Sequence, residues 1–354
     1  MKILCISLTD HPGIISGVST FTRRLEKIFN KEELIYLAYA TSQKKYFKVN
    51  NIIEYKKDKN FIFKILYKLF GSKNLLKWKV RKINPDIAIL QAPGELKILL
   101  NNKCKKTLVQ HMSYDKEISN FFYNNNPDII NMVKKEVDCF VFLSDYDKDK
   151  FIKEMDWKLE KSKVIRHSCE IELLKGKKEK NKNLIMICRI DNNQKRIDLA
   201  IKAMKKLPNY NLKIYGDGVD RIWLEEMAKK ENVNNVFFMG ETSQIKEKLD
   251  EGSIFIMTSD YEGYPITSIE AMRRGLPIVL RNTFDSAQDI IKDNGILLEK
   301  EWIEDKFVEA VRKIYNNYEF YSNNAVEMGK RYDFEIIQKE WKELVNNLYE
   351  RKNI

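Results

Sequence analysis

Short apolar runs rich in β-branched and aromatic residues recur along the chain. In order they are ILCISL (Ile3 to Leu8), LIYLAYA (Leu34 to Ala40), DIAILQA (Asp86 to Ala92), TLVQH (Thr107 to His111) and CFVFLS (Cys139 to Ser144). A second set follows: LIMICRI (Leu184 to Ile190), LKIYG (Leu212 to Gly216), VFFMG (Val236 to Gly240), IFIMTS (Ile254 to Ser259), IVLR (Ile278 to Arg281) and GILLE (Gly295 to Glu299). Segments with helical periodicity lie between most of them, including Thr20 to Phe29, Ile197 to Met204, Arg221 to Lys230 and Ser268 to Arg274. Buried strands alternating with helices predict parallel sheets covered on both faces. The two sets are separated by EIELLKGKKEKNKN, Glu170 to Asn183, a lysine-rich stretch with almost nothing to bury after Leu174, which predicts a linker. The expected class is α/β, with two Rossmann-like domains and a cleft between them. In such open sheets ligands bind beyond the carboxyl ends of the strands.

Composition narrows the picture. A chain of 354 residues suits two domains, and an apolar fraction of 44% can fill two cores. The N-terminal apolar run is too short and too alternating for a signal peptide, and no stretch of 18 apolar residues exists. The five cysteines are scattered and never form C-x-x-C. They read as reduced core thiols of a cytoplasmic protein. The net charge of +12 points to an anionic partner: phosphates, an acidic membrane face or nucleic acid.

Candidate chemistry collects at the predicted strand ends. Arg189 and Lys195 follow LIMIC, Gly216 to Gly218 follow LKIY, Gly17 follows the first run within SGVS, and His111 ends TLVQH. After IFIMTS comes SDYEGYPITSIEAMRRGLPIV, Ser259 to Val279, with Glu262 and Glu270 separated by seven residues. Gly263 and Pro265 break the chain there, and TSIEAMRRG starts a helix. Thr267 suits an N-cap and Glu270, three residues on, has capping-box spacing, so Glu270 has a purely structural reading. The backbone from Gly263 through Tyr264, Pro265 and Ile266 to Thr267 opens that helix, whose free amides suit a diphosphate. Glu262 suits vicinal hydroxyls, and a sugar nucleotide offers both groups.

These residues resemble the E-x7-E motif of the retaining glycosyltransferases of family 4. CRIDNNQKRIDLAIKAM is similar to that family's G-R-x-x-x-x-K-x-x-D segment, IYGDGVDR to its G-D-G-x-x-R turn, and SGVSTFTRRL to its N-terminal glycine loop. NPDIAILQAP resembles its P-D strand and RYDFEIIQKEWKELVNNLY its closing helix. The resemblance implies a GT-B fold: an acceptor-binding domain over 1–169, a nucleotide-sugar domain over 184–335, and a helix over 336–354 returning to the first. It implies that Arg189 and Lys195 clamp the donor diphosphate, a task suited to a forked guanidinium and a point charge. It further implies that Glu270 binds ribose, Glu262 lies against the transferred sugar, and Gly17 lets the backbone approach the diphosphate. The loop residues Gly216, Gly263, Tyr264, Pro265, Ile266 and Thr267 complete the donor site, and His111 orients the sugar or assists the acceptor. The family's N-G-x-D turn is HSCE here, His167 to Glu170, and Cys188 stands at its small glycine position.

The resemblance implies transfer of a hexose or N-acetylhexosamine, UDP-linked, to a lipid-linked or surface-polysaccharide acceptor. No cofactor or metal is expected, because fixed cations take the metal's place. The competing motif DKD, Asp147 to Asp149, reads instead as an acid-rich helix start. The stretch Lys56 to Ile83 interleaves lysines with Phe, Ile, Leu, Tyr and Trp. It suits either an anionic membrane surface, with peripheral attachment, or an ordinary helix on the sheet. Without an accompanying RNA-binding motif, nucleic acid is not an expected partner. A sugar-nucleotide epimerase and a non-catalytic transferase partner are the alternative functions. A phosphorylase would need a pyridoxal lysine motif, which is not seen.

Overall fold

A computed structural model describes residues 1–8, 11–14, 16–29, 33–39, 45–55, 74–114 and 126–352. The chain divides into two compact units, Met1–Ser168 with Glu335–Ile354, and Cys169–Phe334.

The first unit is built on a seven-stranded sheet in the order β3-β2-β1-β4-β5-β6-β7. Its strands are β1 (Ile3–Ser7), β2 (Leu34–Tyr39), β3 (Ile52–Tyr55), β4 (Ile87–Leu90), β5 (Lys105–Val109), β6 (Cys139–Phe142) and β7 (Ser162–Val164), all pairing in parallel. Five of these lie on predicted runs. The two missed are the edge strands β3 and β7, short and carrying Glu54 and Lys163, because an edge need not bury both faces. On one face Leu4, Ile6, Leu37, Ala88, Leu90, Leu108, Phe140 and Phe142 pack against Leu76, Val80, Val133, Phe151 and Trp157. Each fully buried Val, Leu, Ile or Phe among them contributes about 1.5–3 kcal/mol. The Gly17–Ile28 helix lies on the other face, with Tyr36 Oη donating to the Thr22 carbonyl at 2.9 Å. It starts three residues before the predicted Thr20, because Ser16 and Ser19 cap it reciprocally at 3.0 and 2.9 Å. The Phe334–Glu350 helix supplies Trp341, fully buried and 5.8 Å from the Phe21 ring.

The second unit has a six-stranded parallel sheet in the order β10-β9-β8-β11-β12-β13. These strands, β8 (Asn183–Ile187), β9 (Asn211–Tyr215), β10 (Val236–Gly240), β11 (Ile254–Met257), β12 (Ile278–Arg281) and β13 (Gly295–Leu298), all lie on predicted runs. Leu184, Met186, Leu212, Ile214, Ile254, Ile256 and Val279 pack on Ile197, Ala200, Leu224, Phe307 and Val311. The residues between them in sequence, Ile185, Phe255, Ile278 and Leu280, are buried on the opposite face, as a doubly covered parallel sheet requires. The lysine-rich stretch after Cys169 has neither helix nor strand, yet it is tied to this unit. Arg273 Nε donates to the Ile171 carbonyl at 2.6 Å, and Lys178 Nζ to the carbonyls of Leu249 and Asp250 at 3.3 and 3.1 Å. It is therefore a packed strap rather than a free linker.

Candidate active site

Both sheets have a switch point, where the connections leave neighbouring strands toward opposite sides and open a crevice at their carboxyl ends. In the second unit it lies between β8 and β11. The loop after β8 carries Arg189 and Lys195, and the loop after β11 carries Glu262. They meet: Lys195 Nζ donates to Glu262 Oε1 at 2.6 Å, with both side chains largely buried. The loops are stitched along their length. Thr258 Oγ1 donates to the Lys195 carbonyl at 2.8 Å, the Asp260 amide to the Gln194 carbonyl at 2.8 Å, and Gln194 Nε2 to the Tyr261 carbonyl at 3.1 Å. Arg189 is different. Its side chain is 66% exposed and among the described residues donates to Asp191 at 3.2 Å and Gln194 at 3.0 Å, so its guanidinium can re-aim at an anion with little loss.

Gly216 and Gly218 pack against the same loop. A Cβ on Gly216, whose φ is 135°, would come within 1.9 Å of the Cys188 carbonyl oxygen, and one on Gly218 within 2.2 Å of the Ile190 oxygen. Both glycines are demanded by protein backbone, and they shape the Arg189 loop by letting the end of β9 lie against it. Cys188 itself is a free thiol, and burial pushes its pKa up to about 11.

The helix after Glu262 spans Ile266–Arg273, and its N-cap is Pro265 with no side-chain bond. Thr267 is therefore the second helical residue, not the cap, and the predicted Thr267–Glu270 capping box does not form. Proline just before the helix displaces the cap, because its ring sets an extended entry, here φ −68° and ψ 117°. Ser268 Oγ turns back onto the Pro265 carbonyl at 2.6 Å. Glu270 lies a turn further on, half-buried. Tyr264 commits its side chain to the interior, where its hydroxyl meets Asp289 Oδ2 at 3.1 Å and Tyr332 Oη at 2.5 Å. Gly263 is held through its carbonyl by Ser286. Pro265 has no amide hydrogen, so the loop's donors toward an anion are limited to the amides on either side of it.

In the first unit the switch point lies between β1 and β4. Gly17 opens the helix after β1, and among the described residues a Cβ there would meet nothing within 4 Å. His111 follows β5, half-buried, with Nε2 2.6 Å from Gln91 Oε1. The backbone amide of Gln91 donates at 2.7 Å to the buried Glu95, whose carboxylate also accepts from the amides of Leu8 at 2.7 Å and Ala92 at 3.2 Å. Burial pushes the Glu95 pKa up to about 8 against the pull of those three amides. The His111 ring stacks on His167 at 6.3 Å and 12°, and Phe21 stands edge-on to both at 5.0 and 5.6 Å. Loss of water pushes the His111 pKa down to about 3. The His167 pKa falls well below the ordinary value through burial, then the neighbouring His111 and Arg24. His111 is thus a neutral imidazole at physiological pH.

Sequence reasoning missed Gln91, Glu95, His167, Gln194 and Asp260. Gln91 was within reach, since it stands one residue before the end of a predicted run and directly after β4. His167 sits in HSCE, where the resemblance departs from the family pattern. The acid-rich DKD segment has structural work: Asp147 accepts from Ser144 Oγ at 2.6 Å and the Tyr114 amide at 3.1 Å within the capped Asp145–Met155 helix. No group of three or more metal-ligating side chains occurs among the described residues.

Comparison with known proteins follows this division. Residues 171–331, a little under half of the chain, match the family described as Glycosyl transferases group 1. Over 144 residues the chain is 35% identical to an uncharacterized glycosyltransferase of Haemophilus influenzae, covering 39% of this chain and 40% of that protein. Over 163 residues it is 31% identical to the poly(ribitol-phosphate) alpha-N-acetylglucosaminyltransferase of Staphylococcus aureus, covering 43% and 33%. The chain thus spans less than half the length of these curated relatives. The solved structure of the pneumococcal O-GlcNAc transferase GtfA in complex with UDP and GlcNAc matches with a TM-score of 0.79 at 15% identity, over 98% of this chain and 99% of that one. The fold is GT-B, two Rossmann-like α/β domains.

Proposed function

We propose that the protein is a retaining glycosyltransferase of the family 4 kind, moving a hexose or N-acetylhexosamine from a UDP-sugar to a hydroxyl of a lipid-linked or surface-polysaccharide acceptor. The observation that carries this reading is the Lys195–Glu262 pair at the switch point beside the exposed Arg189. Two cations and one carboxylate on adjoining strand ends suit a diphosphate and a sugar held together. The comparisons support it: the S. aureus relative is named for N-acetylglucosamine transfer, and the pneumococcal structure holds UDP with GlcNAc.

In this mechanism the bond from sugar C1 to the phosphate oxygen lengthens first, and positive charge develops on the ring. Arg189 and Lys195 stabilise the departing diphosphate, an interaction of about 3–4 kcal/mol when such a donor is preorganised. Glu262 faces the charged sugar and Glu270 the ribose hydroxyls. The acceptor oxygen bonds to C1 on the face the phosphate leaves, and its proton passes to the leaving phosphate oxygen. His111, neutral, offers an imidazole to a sugar hydroxyl.

The deciding experiment incubates the full chain with a panel of nucleotide sugars, with and without chelator, and measures released nucleoside diphosphate. Release from one or two UDP-sugars, unchanged by chelator, is expected. Release from none favours the non-catalytic partner, and interconversion of sugars without release favours the epimerase.

We also propose peripheral attachment at the cytoplasmic face of an anionic membrane. The segment 56–73 lies outside the described residues. The helix over 74–83 that follows buries Leu76 and Val80 but leaves Trp78 59% exposed among Lys77, Lys79, Arg81 and Lys82. No helix among the described residues is long and apolar enough to cross a membrane. Salt-sensitive binding to anionic vesicles, lost in Trp78→Ala with Arg81→Glu, is expected. Equal binding to neutral vesicles would overturn it.

A further inference from the structure

One backbone position in the second unit stands apart. Among the described residues, six other than glycine have positive φ, and five are asparagine or aspartate, whose short polar side chains tolerate that region. The sixth is Arg196, at φ 48° and ψ 45°, directly after Lys195. A long side chain held in a left-handed turn beside a site points from strain to function.

The surroundings show what holds it. Arg196 grips Asp198 with two nitrogens, Nε to Oδ1 at 3.1 Å and Nη2 to Oδ2 at 3.3 Å. Its remaining terminal nitrogen donates to Asp260 Oδ2 at 3.3 Å. The other oxygen of Asp260 accepts from Arg281 Nη1 at 2.6 Å. Arg281 is buried at the end of β12 and donates further to the carbonyls of Thr258 at 2.8 Å and Lys300 at 2.7 Å. One carboxylate therefore joins a guanidinium from the β8 loop to another from β12, and it belongs to the loop of β11. Three neighbouring strand ends are tied at a single point. Lys195 precedes one end of this tie and Glu262 lies two residues past its centre.

We propose that Arg196, Asp260 and Arg281 form an ionic clamp whose task is to position Lys195 against Glu262 for the donor. The left-handed turn at Arg196 separates the short Asn192–Lys195 helix from the Ile197–Ala203 helix, so it sets the direction from which Lys195 leaves the backbone. A glycine would make that turn without strain but would hold nothing. Arginine makes the turn and anchors it to the opposite loop. These are positioning residues, acting through Lys195 and Glu262. The inference rests on the donor-site reading above.

The test uses Arg196→Gly, Asp260→Asn and the double variant of the full chain. Arg196→Gly suits the left-handed backbone, so a loss of function in it does not follow from a failed turn. The first measurement needs no nucleotide. Lysines are acetylated and each site's rate is read by peptide mass spectrometry. Lys195 should label at least about threefold faster in both single variants while Lys229 and Lys246 keep their rates, because only the pairing of Lys195 is loosened. The second measurement is calorimetric titration with UDP. Each single variant should bind about tenfold more weakly, and the double variant no more weakly than either, as expected of residues acting as one unit. Unchanged Lys195 labelling, a rise shared by the reference lysines, or additive losses in the double variant would each overturn the clamp. Failure of the wild-type chain to bind UDP would sink the donor reading instead, and the labelling would still decide the clamp.

Discussion

The carboxyl ends of the two sheets share a topology and differ in chemistry. At the β8–β11 switch point the groups are charged and paired, with Lys195 on Glu262 and Asp260 between two arginines. At the carboxyl end of the first sheet the groups are the Gln91 amide and the buried Glu95 carboxyl after β4 and the His111 and His167 rings after β5 and β7, with Phe21 against both rings. The glycines differ in the same sense. Gly216 is required by a carbonyl 1.9 Å from its missing Cβ, whereas none of the described residues crowds Gly17. A charged end suits a ligand whose own charge must be balanced, namely a diphosphate. An end whose groups are mostly neutral suits hydroxyl groups, which need hydrogen bonds and no counter-ion. The same strand-end geometry thus serves two ligand chemistries, chosen by the loops.

The sharpest way to break this contrast is Glu262→Gln. If the charged end is the reaction centre, turnover at saturating donor should fall about 10²- to 10³-fold with little change in donor affinity, as for loss of one preorganised electrostatic group. Steady-state rates that stay near wild type would remove Glu262 from the chemistry.

The glycine contrast is tested by paired alanine variants. Gly216→Ala should lower stability by about 3 kcal/mol through backbone strain and overpacking, seen as an earlier urea midpoint. Gly17→Ala should leave the midpoint in place and weaken donor binding. Equal midpoints for the two would show that the crowding at Gly216 relaxes freely.

A smaller effect is expected of Glu270→Gln. With the capping box absent, the ribose reading predicts about tenfold weaker donor binding at unchanged turnover and stability. Unchanged affinity by titration calorimetry would leave Glu270 without a role at the charged end.

A last test concerns pH and the His111 end of the first sheet. The folded His111 pKa, about 3, lies below its ordinary 6.5, so the folded state holds the neutral ring. The stabilisation is complete above pH 6.5 and is lost as pH falls toward 3, since the unfolded chain takes up a proton that the native state refuses. His111→Gln should flatten the stability slope across that window by up to about 1.4 kcal/mol per pH unit. Urea midpoints from pH 7 to 4 would show it, and parallel slopes for variant and wild type would contradict an imidazole held neutral in the folded state.

The second unit was the more legible half. All its strands lie on apolar runs: the central ones are buried on both faces, and the edge strand β10 reads as apolar even though Phe237 and Met239 are exposed. Arg189, Lys195 and Glu262 lie on the segments that follow β8 and β11, which is where the strand-end rule looks for ligand contacts. The edge strands β3 and β7 escaped, since partial burial lets Glu54 and Lys163 interrupt the pattern. The capping box at Thr267 was a local pattern overruled by the proline two residues earlier.

What the chain's order of residues determined by itself was local and periodic: the strands, the helices between them, the break into two units and the residue types at each strand end. Burial patterns and turn residues act over a few positions, and they are readable there. Which of those residues touch was decided only by the tertiary structure. Asp260 meets Arg196 and Arg281 across 64 and 21 residues of chain, and His111 meets His167 across a gap that no period links. Such pairs form because sheet order brings distant loops to one edge, and that order depends on how the whole set of apolar faces is buried at once.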